Sequence, residues 1–559
     1  MQTPMNVTDN SSRVSSDMLH VRGLAFQRSE YRTHAVKPSE PFLVSAMSTV
    51  QRRELHFILG AWVVVGALFW AWWFEPRHIV DPWRFGFNSA VLVCAMMLPA
   101  YYFIFFARIK KPNPRLRFPI GHRVAMVVTK APAEPWALVR GTLEGLLAQN
   151  YPHDTWLADE DPSAETLDWC KRNGILVSSR KNVAEYHRPT WPRRTKCKEG
   201  NLAYFYDNYG YDRYDFVVQM DADHRPAAGY LEAMLRPFLD SDVGYVSAPS
   251  ICSANASESW TARGRLMVEA PLHGALQAGY NGGFAPLCIG SHYAVRTFAL
   301  RDIGGLGPEL AEDHSTTFLF NVAGWKGIHS LDAEAIGEGP SSFADFATQE
   351  FQWARSLIKI LLTLTPRHIH KLSFKLRFQF LFSQSWYLLL SFTMLMSVLM
   401  PVIAICTDQP FVNISYAGFA CYSSALSAVL VPALLWMRRN GWCRPKEIKL
   451  MTWEAVLLQF ARWPWVMLGI IAACKDALFK QDRGFRVTRK GGQVGDKFPV
   501  TLLVPYAFLT VLSGLPVILI SDANYATGYY FASAVNSLTY SLTAAAIVFL
   551  HYVETSRDH

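Results

Sequence analysis

Long apolar segments restrict what this chain can fold into more than any other feature of its sequence. A helix that spans a bilayer needs about 20 consecutive apolar residues. Six segments satisfy this, and they form two groups around residues 120–370, where apolar runs are short: 57–74, 87–106, 382–406, 414–436, 500–520 and 529–550. The sequence therefore predicts an integral membrane protein in which a compact domain is inserted between transmembrane helices.

The distribution of charge predicts the side of the membrane on which this domain lies. The chain has a net charge of +9, and basic residues cluster just after the segments that end at residues 106 and 436. The connection at 407–410 and the one between the last two segments contain no Lys or Arg. By the positive-inside rule, the inserted domain and both termini are cytosolic. The basic residues are not massed on one arm, so we expect no nucleic-acid partner.

Residues 453–473 form an ambiguous seventh apolar segment. They contain Arg462 and Pro464, and a basic stretch at 475–490 follows them. A span here would move that basic stretch to the outside, whereas a helix lying in the membrane interface would keep it in the cytosol. We favour six spans plus an interfacial helix, with seven spans as the alternative.

The remaining composition fits this organisation. Residues 1–50 are polar and rich in Ser and Thr, which predicts a flexible cytosolic tail and no ordinary secretory signal. The nine cysteines show no paired metal-ligand spacing, as expected of reduced or lipid-buried thiols. We divide the chain into this tail, a transmembrane hairpin at 51–110, a domain at 115–370, and a membrane region at 371–559 with an interfacial segment at about 450–492.

The inserted domain has the pattern of an α/β fold. Residues 123–129 read as a buried strand, 136–149 as the helix after it, and 174–177 and 214–220 as later strands. The last of these leads into Asp221-Ala222-Asp223. Ligands of open α/β sheets bind at the carboxyl ends of strands, and paired carboxylates suit Mg²⁺ or Mn²⁺ bridging to phosphate.

Further polar groups fall at the ends of predicted elements in this domain. They are Asp159-Glu160-Asp161 after a short apolar stretch, Lys198 before the helical pattern 202–206, Glu312-Asp313-His314 after a Gly-rich turn, and Gln352-Trp353-Ala354-Arg355, which we expect to open a helix. Such groups could support glycosyl transfer from a nucleotide sugar. That reaction uses a metal and cations to stabilise the departing diphosphate, and a carboxylate base for the attacking hydroxyl.

The sequence resembles the family-2 glycosyltransferases that act as processive membrane synthases of cellulose, curdlan and hyaluronan. The resemblance begins at 127–129, 142–143 and 147–152 and covers about residues 50–550. It implies a nucleotide-sugar-binding fold of the A type and an inverting mechanism. It also implies a UDP-sugar donor, a growing polysaccharide acceptor, accessory export subunits and a location in a bacterial inner membrane.

The resemblance also implies residue roles. Asp313 would be the catalytic base, Asp223 would bind the metal together with Asp221, and Asp221 would contact the nucleotide sugar. The other donor and acceptor contacts would be Asp159 and Asp161 at the uridine, Lys198 at the diphosphate, and Gln352, Trp353 and Arg355 of the Gln-x-x-Arg motif. The stretch 288–291 resembles the part of the family that lines the acceptor site.

The clearest late match is the stretch 485–490, which resembles the Phe-x-Val-Thr-x-Lys gating loop of cellulose synthases. The matching residues are Phe485, Val487, Thr488 and Lys490. The family loop closes over the nucleotide, so this loop must be cytosolic. This requirement independently favours the interfacial placement of 453–473.

The chain departs from the family pattern at several positions. The Asn of the first-strand motif is missing, and Asp159-Glu160-Asp161 replaces Asp-Asp-Gly. Ala311 replaces the Thr of the Thr-Glu-Asp motif, and Ser356 replaces the Trp that follows Gln-x-x-Arg and stacks on the acceptor sugar. The chain leaves no room after its last span for a cyclic-nucleotide-binding PilZ domain, so we expect such regulation to need another chain.

Each motif also has a purely structural interpretation. The Asp pair could be a solvated turn, Asp313 a helix cap, Arg355 a cation near lipid headgroups, Lys198 part of a solvated basic face, and Trp353 packing at the membrane interface. The order of the motifs along the chain favours the enzyme interpretation.

Three functions follow from the sequence. The leading hypothesis is an inverting, Mg²⁺- or Mn²⁺-dependent enzyme that polymerises sugar from a UDP-sugar, UDP-glucose first, into a β-glucan-type polysaccharide and translocates it. Ser356 supports the alternative of a non-processive transferase that adds one sugar to a lipid. A non-catalytic transport or scaffold protein is the third hypothesis, and the acidic motifs disfavour it.

Overall fold

The computed structural model describes residues 40–195, 197–309, 311–449, 452–479, 498–521 and 523–556. The predicted gating stretch 485–490 and most of the predicted tail lie outside these ranges. The end of the predicted tail is structured. Strand β1 (Leu43–Ser45) pairs antiparallel with β2 (Lys110–Pro112), and helix α1 begins at Thr49.

Two long helices precede the inserted domain, α1 (Thr49–Trp73) and α2 (Pro82–Phe106). Their starts follow from local chemistry. Ser48 and Gln51 form a reciprocal capping box at the first helix, and Asp81 caps the second before a proline at its first position. Both helices are longer than the apolar runs from which they were predicted.

The inserted domain is α/β, as predicted. Its strands are β3 (Val124–Lys130), β4 (Asp154–Asp159), β5 (Leu176–Ser178), β6 (Phe216–Met220), β7 (Arg225–Pro226), β8 (Val243–Ser247), β9 (Ser250–Ile251), β10 (His292–Arg296), β11 (Lys326–His329) and β12 (Ala335–Ile336). Its helices are α3 (Trp136–Leu147), α4 (Ala164–Arg172), α5 (Lys198–Phe205), α6 (Tyr211–Arg213), α7 (Tyr230–Leu235), α8 (Trp260–Pro271), α9 (Gln277–Tyr280), α10 (Thr297–Asp302), α11 (Glu312–Val322), α12 (Phe343–Thr363) and α13 (Thr365–His368).

Seven strands form one mixed sheet in the order β11-β8-β10-β6-β3-β4-β5. Strand β10 runs antiparallel to both of its neighbours, and the other pairings are parallel. Strands β7, β12 and β9 form a small second sheet. The β3, β4, β5 and β6 strands therefore end at the same edge of the large sheet, which is where such folds bind ligands.

The large sheet is buried on both faces, because helices cover each side. Along β3, Val124, Met126 and Val128 pack with α3 and α7, whereas Ala125 and Val127 pack with α5 and α11. All seven β3 residues are buried, which explains its continuous apolar run. The sheet is thus a rigid base for the loops at its carboxyl edge.

After the domain come α14 (Phe374–Thr407), α15 (Tyr416–Arg439), α16 (Trp453–Phe479), α17 (Val504–Leu519) and α18 (Thr527–Thr555). Within the described ranges, seven helical segments are long and apolar enough to cross a membrane. Six coincide with the predicted spans, and the seventh is α16. The ambiguous segment is therefore one continuous helix of 27 residues.

Candidate active site

The carboxyl edge of the large sheet gathers charged residues from neighbouring strands. Lys130 ends β3, Asp159 ends β4, and Asp221 directly follows β6. The backbone N–H of Asp221 donates to the carbonyl of Ser291 at 2.7 Å, so the stretch 288–291 lies beside the Asp pair. Helix α5 is tied to the same edge, because the Asn201 side-chain amide donates to the Ala158 carbonyl at 2.8 Å.

Asp159 lies in a buried ion pair. The register of β3 and β4 places Lys130 opposite Asp159, and the Lys130 Nζ atom lies 3.3 Å from the carboxylate. Burial raises the pKa of Asp159, although the Asp161 backbone N–H and Lys130 oppose that rise. Asp161 is exposed and pairs with Lys181 at 2.5 Å, and the hydrogen bond and charge of Lys181 lower its pKa. The two predicted uridine contacts thus lie in very different environments.

Lys198 and Asp221 form the centre of the edge. The Lys198 Nζ atom donates to Asp221 Oδ1 at 2.6 Å and also to the carbonyl of Gly290. Both side chains are mostly buried, with exposed fractions of 18% and 24%. The solvated-face interpretation of Lys198 is therefore wrong, and an amine and a carboxylate converge on one strand end.

Asp223 is buried rather than solvated, with 6% of its surface exposed. Its Oδ1 atom lies 3.1 Å from His224 Nδ1, and its Oδ2 atom accepts the Glu338 backbone N–H at 3.3 Å. Burial disfavours protonation of His224, but Asp223 and Cys252 together outweigh burial and raise the pKa of His224 to about 10. The solvated-turn interpretation of the Asp pair does not fit this environment.

Glu312 and Asp313 open helix α11. Asp313 lies in the first turn, and its Oδ1 atom accepts the His314 N–H at 2.7 Å, so Asp313 is not the cap residue. A Cβ atom on Gly290 would lie 3.2 Å from Asp313 Oδ2, which puts this carboxylate next to the Lys198 partner Gly290. Burial raises the pKa of Asp313. Hydrogen bonds from the His314 and Gly290 backbone groups and the charge of Lys198 oppose that rise. Burial likewise raises the pKa of Glu312, to about 8, although Lys198 opposes that rise.

The Gln-x-x-Arg motif lies in the middle of α12, so the prediction that it opens a helix is wrong. The helix begins at Phe343, because the Ser342 hydroxyl accepts the Asp345 N–H at 3.2 Å. The sequence carried this signal in Ser342 and Asp345, a serine three residues before an acid. Gln352 is buried, and the Arg355 Nε atom donates to Asp476 Oδ2 of α16 at 2.6 Å.

Trp353 and Arg355 are both engaged with protein groups. The Arg265 guanidinium lies 4.6 Å from the centre of the Trp353 ring, and this tryptophan also packs against the apolar cluster between α12 and α16. The Arg355 and Asp476 side chains are 11% and 5% exposed, so Arg355 is not a surface cation.

The described residues contain no group of three or more His, Cys, Asp or Glu side chains that could hold a metal ion by themselves. Mg²⁺ is commonly bound by one or two carboxylates together with substrate phosphates. Asp221 and Asp223, one residue apart after β6, supply such a pair of oxygen donors. The residues therefore fit a metal that binds together with a diphosphate.

Sequence reasoning missed several members of this site. Lys130 pairs with Asp159, His224 with Asp223 and Asp476 with Arg355. His224 is adjacent to the Asp pair and could have been noticed, whereas Asp476 is far from its partner in sequence. Phe485, Val487, Thr488 and Lys490 lie outside the described residues, so their predicted role stays a prediction.

Known proteins with sequences similar to this chain are glycosyltransferases. The family model described as "Glycosyl transferase family group 2" matches residues 216–437. The UDP-forming cellulose synthase catalytic subunit of Komagataeibacter sucrofermentans is 24% identical over 331 residues, 56% of this chain and 42% of that protein. Its counterpart in Xanthomonas axonopodis pv. citri is 26% identical over 236 residues, 41% of this chain and 30% of that protein.

Among solved structures, a mannosyltransferase from Pyrobaculum calidifontis in complex with GDP-mannose and Mn²⁺ is similar, with a TM-score of 0.36 and 15% identity. The structural alignment covers 81% of this chain and 97% of the mannosyltransferase chain. This chain spans less than half the length of the two cellulose synthase subunits it matches.

The family match defines a class for part of the chain. Residues 216–437, which run from β6 of the α/β domain to α15, match the family-2 glycosyltransferases, and long apolar helices lie on both sides of this domain. Within that class, the chain resembles the catalytic subunits of cellulose synthases.

Proposed function

We propose that this protein is an inverting, divalent-metal-dependent glycosyltransferase that uses a UDP-sugar to extend a β-glucan-type polysaccharide. One observation carries the proposal. The Lys198–Asp221 pair lies beside Gly290, and the Asp313 carboxylate lies against the same glycine. One strand end is thus surrounded by three groups. Lys198 is a cation suited to a diphosphate, Asp221 an oxygen donor suited to a metal, and Asp313 a candidate base.

The Asp pair and Lys198 would bind the UDP-sugar donor and its metal. Asp221 and Asp223 would hold Mg²⁺ or Mn²⁺, which would neutralise charge on the diphosphate when bound. Lys198 would add a fixed positive charge in a mostly buried place, where such a charge stabilises a departing UDP most. Asp159 and Asp161 are proposed to contact the uridine, and Gln352 and Arg355 the donor and acceptor.

The acceptor side falls to Asp313. The acceptor hydroxyl oxygen would form the new bond to the anomeric carbon as the bond from that carbon to the UDP oxygen breaks. Asp313 would take the hydroxyl proton, and UDP would leave with the bonding electrons. The pKa of Asp313 is raised toward neutral pH, and a general base works best when its pKa lies near the operating pH.

The polymer product and its export rest on resemblance. Similarity to cellulose synthase subunits supports UDP-glucose as the donor and a β-glucan as the product. The long apolar helices on both sides of the domain support translocation by the same chain. We place the protein in a bacterial inner membrane with the catalytic domain in the cytosol, and we propose accessory export subunits as partners.

The first test is UDP release by purified full-length protein with Mg²⁺ or Mn²⁺ and a panel of UDP-sugars. We expect release with UDP-glucose, and loss of about 10²- to 10⁴-fold in Asp313→Asn, the range typical of a general base. Asp168→Asn is the matched control, since its carboxylate is 66% exposed in a surface pair on α4. Full activity in Asp313→Asn would overturn the base assignment.

The second test is the length of the product. A polymer that a β-glucanase degrades would support a processive enzyme. A single labelled glycolipid would instead support the non-processive alternative, which the buried Ser356 at the expected tryptophan position keeps open.

A further inference from the structure

Two departures from the family pattern, far apart in sequence, contact each other in the structure. The backbone N–H of Ala311 donates to the Ser356 Oγ atom at 2.8 Å. Ser356 lies on α12 and is 3% exposed. Ala311 is the residue before α11, and it offers that helix no side-chain cap. The contact needs the Ser356 hydroxyl, because a tryptophan at this position has no side-chain oxygen to accept the N–H.

The contact lies close to the proposed base. Asp313 is two residues beyond Ala311, in the first turn of α11. One helical turn beyond Ser356, the Lys359 Nζ atom lies 3.4 Å from Glu309 Oε2. Helix α12 therefore contacts the segment that leads into α11 at two points, on both sides of residue 310. The same helix carries Gln352 and Arg355.

A buried hydroxyl that accepts a partly buried N–H helps to fix the position of that peptide, because losing the acceptor would remove the partner of this N–H. Here the fixed peptide is the entry to the helix that holds Asp313. Small displacements of a catalytic group lower turnover, since the reacting atoms must be held within a narrow range. Ser356 does not itself contact Asp313, so its effect would act through the backbone.

We propose that Ser356 is a positioning residue that holds the Asp313 carboxylate against Gly290, in place of the aromatic residue the family has at this position. The inference rests on the proposed function and adds a residue to it. Ser356 would support the proton transfer rather than donor binding, because its hydroxyl bonds the backbone of the segment that leads into Asp313.

The kinetic test compares Ser356→Ala, Ser356→Thr and Thr363→Ala in the full-length protein. Thr363→Ala is a matched control on α12, since its hydroxyl donates to the Lys359 carbonyl of its own helix. We expect Ser356→Ala to lower kcat about tenfold, the effect of about one lost hydrogen bond, with the KM for the UDP-sugar unchanged. Ser356→Thr keeps the hydroxyl and should restore most of kcat, and Thr363→Ala should match the wild type.

A second measurement does not depend on activity. Amide hydrogen exchange of the peptide that contains Ala311 should be faster in Ser356→Ala than in the wild type, Ser356→Thr or Thr363→Ala. Unchanged exchange and unchanged kcat in Ser356→Ala would overturn the proposal, and so would equal losses in kcat and donor affinity.

Failure of the proposed function would look different. Wild-type protein would then release no nucleotide from any sugar donor. Faster exchange at Ala311 in Ser356→Ala would still support the anchoring of this segment by Ser356, and unchanged exchange would overturn it.

Discussion

Asp313 and its immediate neighbours show how local backbone groups tune one carboxylate. Burial raises the pKa of Asp313, while the His314 N–H, the Gly290 backbone and Lys198 work against that rise. The His314 contribution exists because Ala311 leaves this N–H to Asp313. A side chain with an acceptor at position 311 would compete for it.

Ala311→Thr should therefore shift the pH dependence of turnover. A threonine at this N-cap can accept the N–H of Asp313 or His314. Loss of the His314 hydrogen bond removes stabilisation of the ionised Asp313, so its pKa rises further. The proposed base would work only when deprotonated, so the acid limb of the kcat profile should move to higher pH. Ala311→Val has a similar shape without the acceptor, and superimposable acid limbs in the two variants would contradict this argument.

Arg355 illustrates a buried ion pair at the residue scale. Removing one partner of a buried ion pair takes away most of the compensation for the other charge and costs up to about 3–5 kcal/mol. Asp476→Asn keeps the shape and removes the charge, so we expect a clear loss of thermal stability in detergent, up to that size. Asp168→Asn breaks an exposed pair with Arg172 and should change little. Equal unfolding temperatures in the two variants would show that the Arg355–Asp476 pair carries little energy.

At the scale of elements, α16 packs closely against two helices of the catalytic domain. A Cβ atom on Gly264 of α8 would lie 2.6 Å from Leu458 and 3.0 Å from the Glu454 backbone. A Cβ atom on Gly469 of α16 would collide with the Phe351 carbonyl of α12. Ion pairs reinforce both contacts, Arg263 with Glu454 at 3.2 Å and Arg462 with Glu350 at 2.8 Å.

Gly264→Ala should push α16 away from α8. The added methyl group would press on backbone atoms of Glu454, which cannot move aside as a side chain can. We therefore expect the free energy of unfolding to fall by about 1–3 kcal/mol, as at other overpacked sites. Gly141→Ala on α3 is the control, since nothing lies within 4 Å of a Cβ atom there, and alanine favours a helix by up to about 1 kcal/mol over glycine. Thermal unfolding should thus change in opposite directions, and a stabilised Gly264→Ala would contradict the close packing.

At the scale of the whole molecule, these contacts bear on the number of spans. Helix α16 is about 40 Å long, long enough to cross a bilayer. Yet Glu454 near its start pairs with Arg263, and Asp476 near its end pairs with Arg355. Both partners belong to the catalytic domain. Contacts with this domain at both ends favour a helix that lies along the membrane, and thus six spans.

Labelling of single cysteines with a membrane-impermeant maleimide can test this topology, in a background from which the nine native cysteines have been removed. Lys475→Cys should react from the same side as Arg439→Cys, since an interfacial α16 does not cross the membrane. Gln409→Cys, in the connection between α14 and α15, should react from the opposite side. Reaction of Lys475→Cys from the side of Gln409→Cys would establish seven spans.

Local patterns were enough to predict the apolar segments, the α/β character of the inserted domain and the strand that leads into Asp221 and Asp223. Each of these features follows from periodicity and composition within a short stretch, because a bilayer or a sheet buried on both faces requires such a pattern. The pairings of Lys198 with Asp221, Arg355 with Asp476 and Ala311 with Ser356 became visible only in the folded chain. Those pairings join residues from separate elements, so they depend on how helices pack over the sheet edge, which no local pattern encodes.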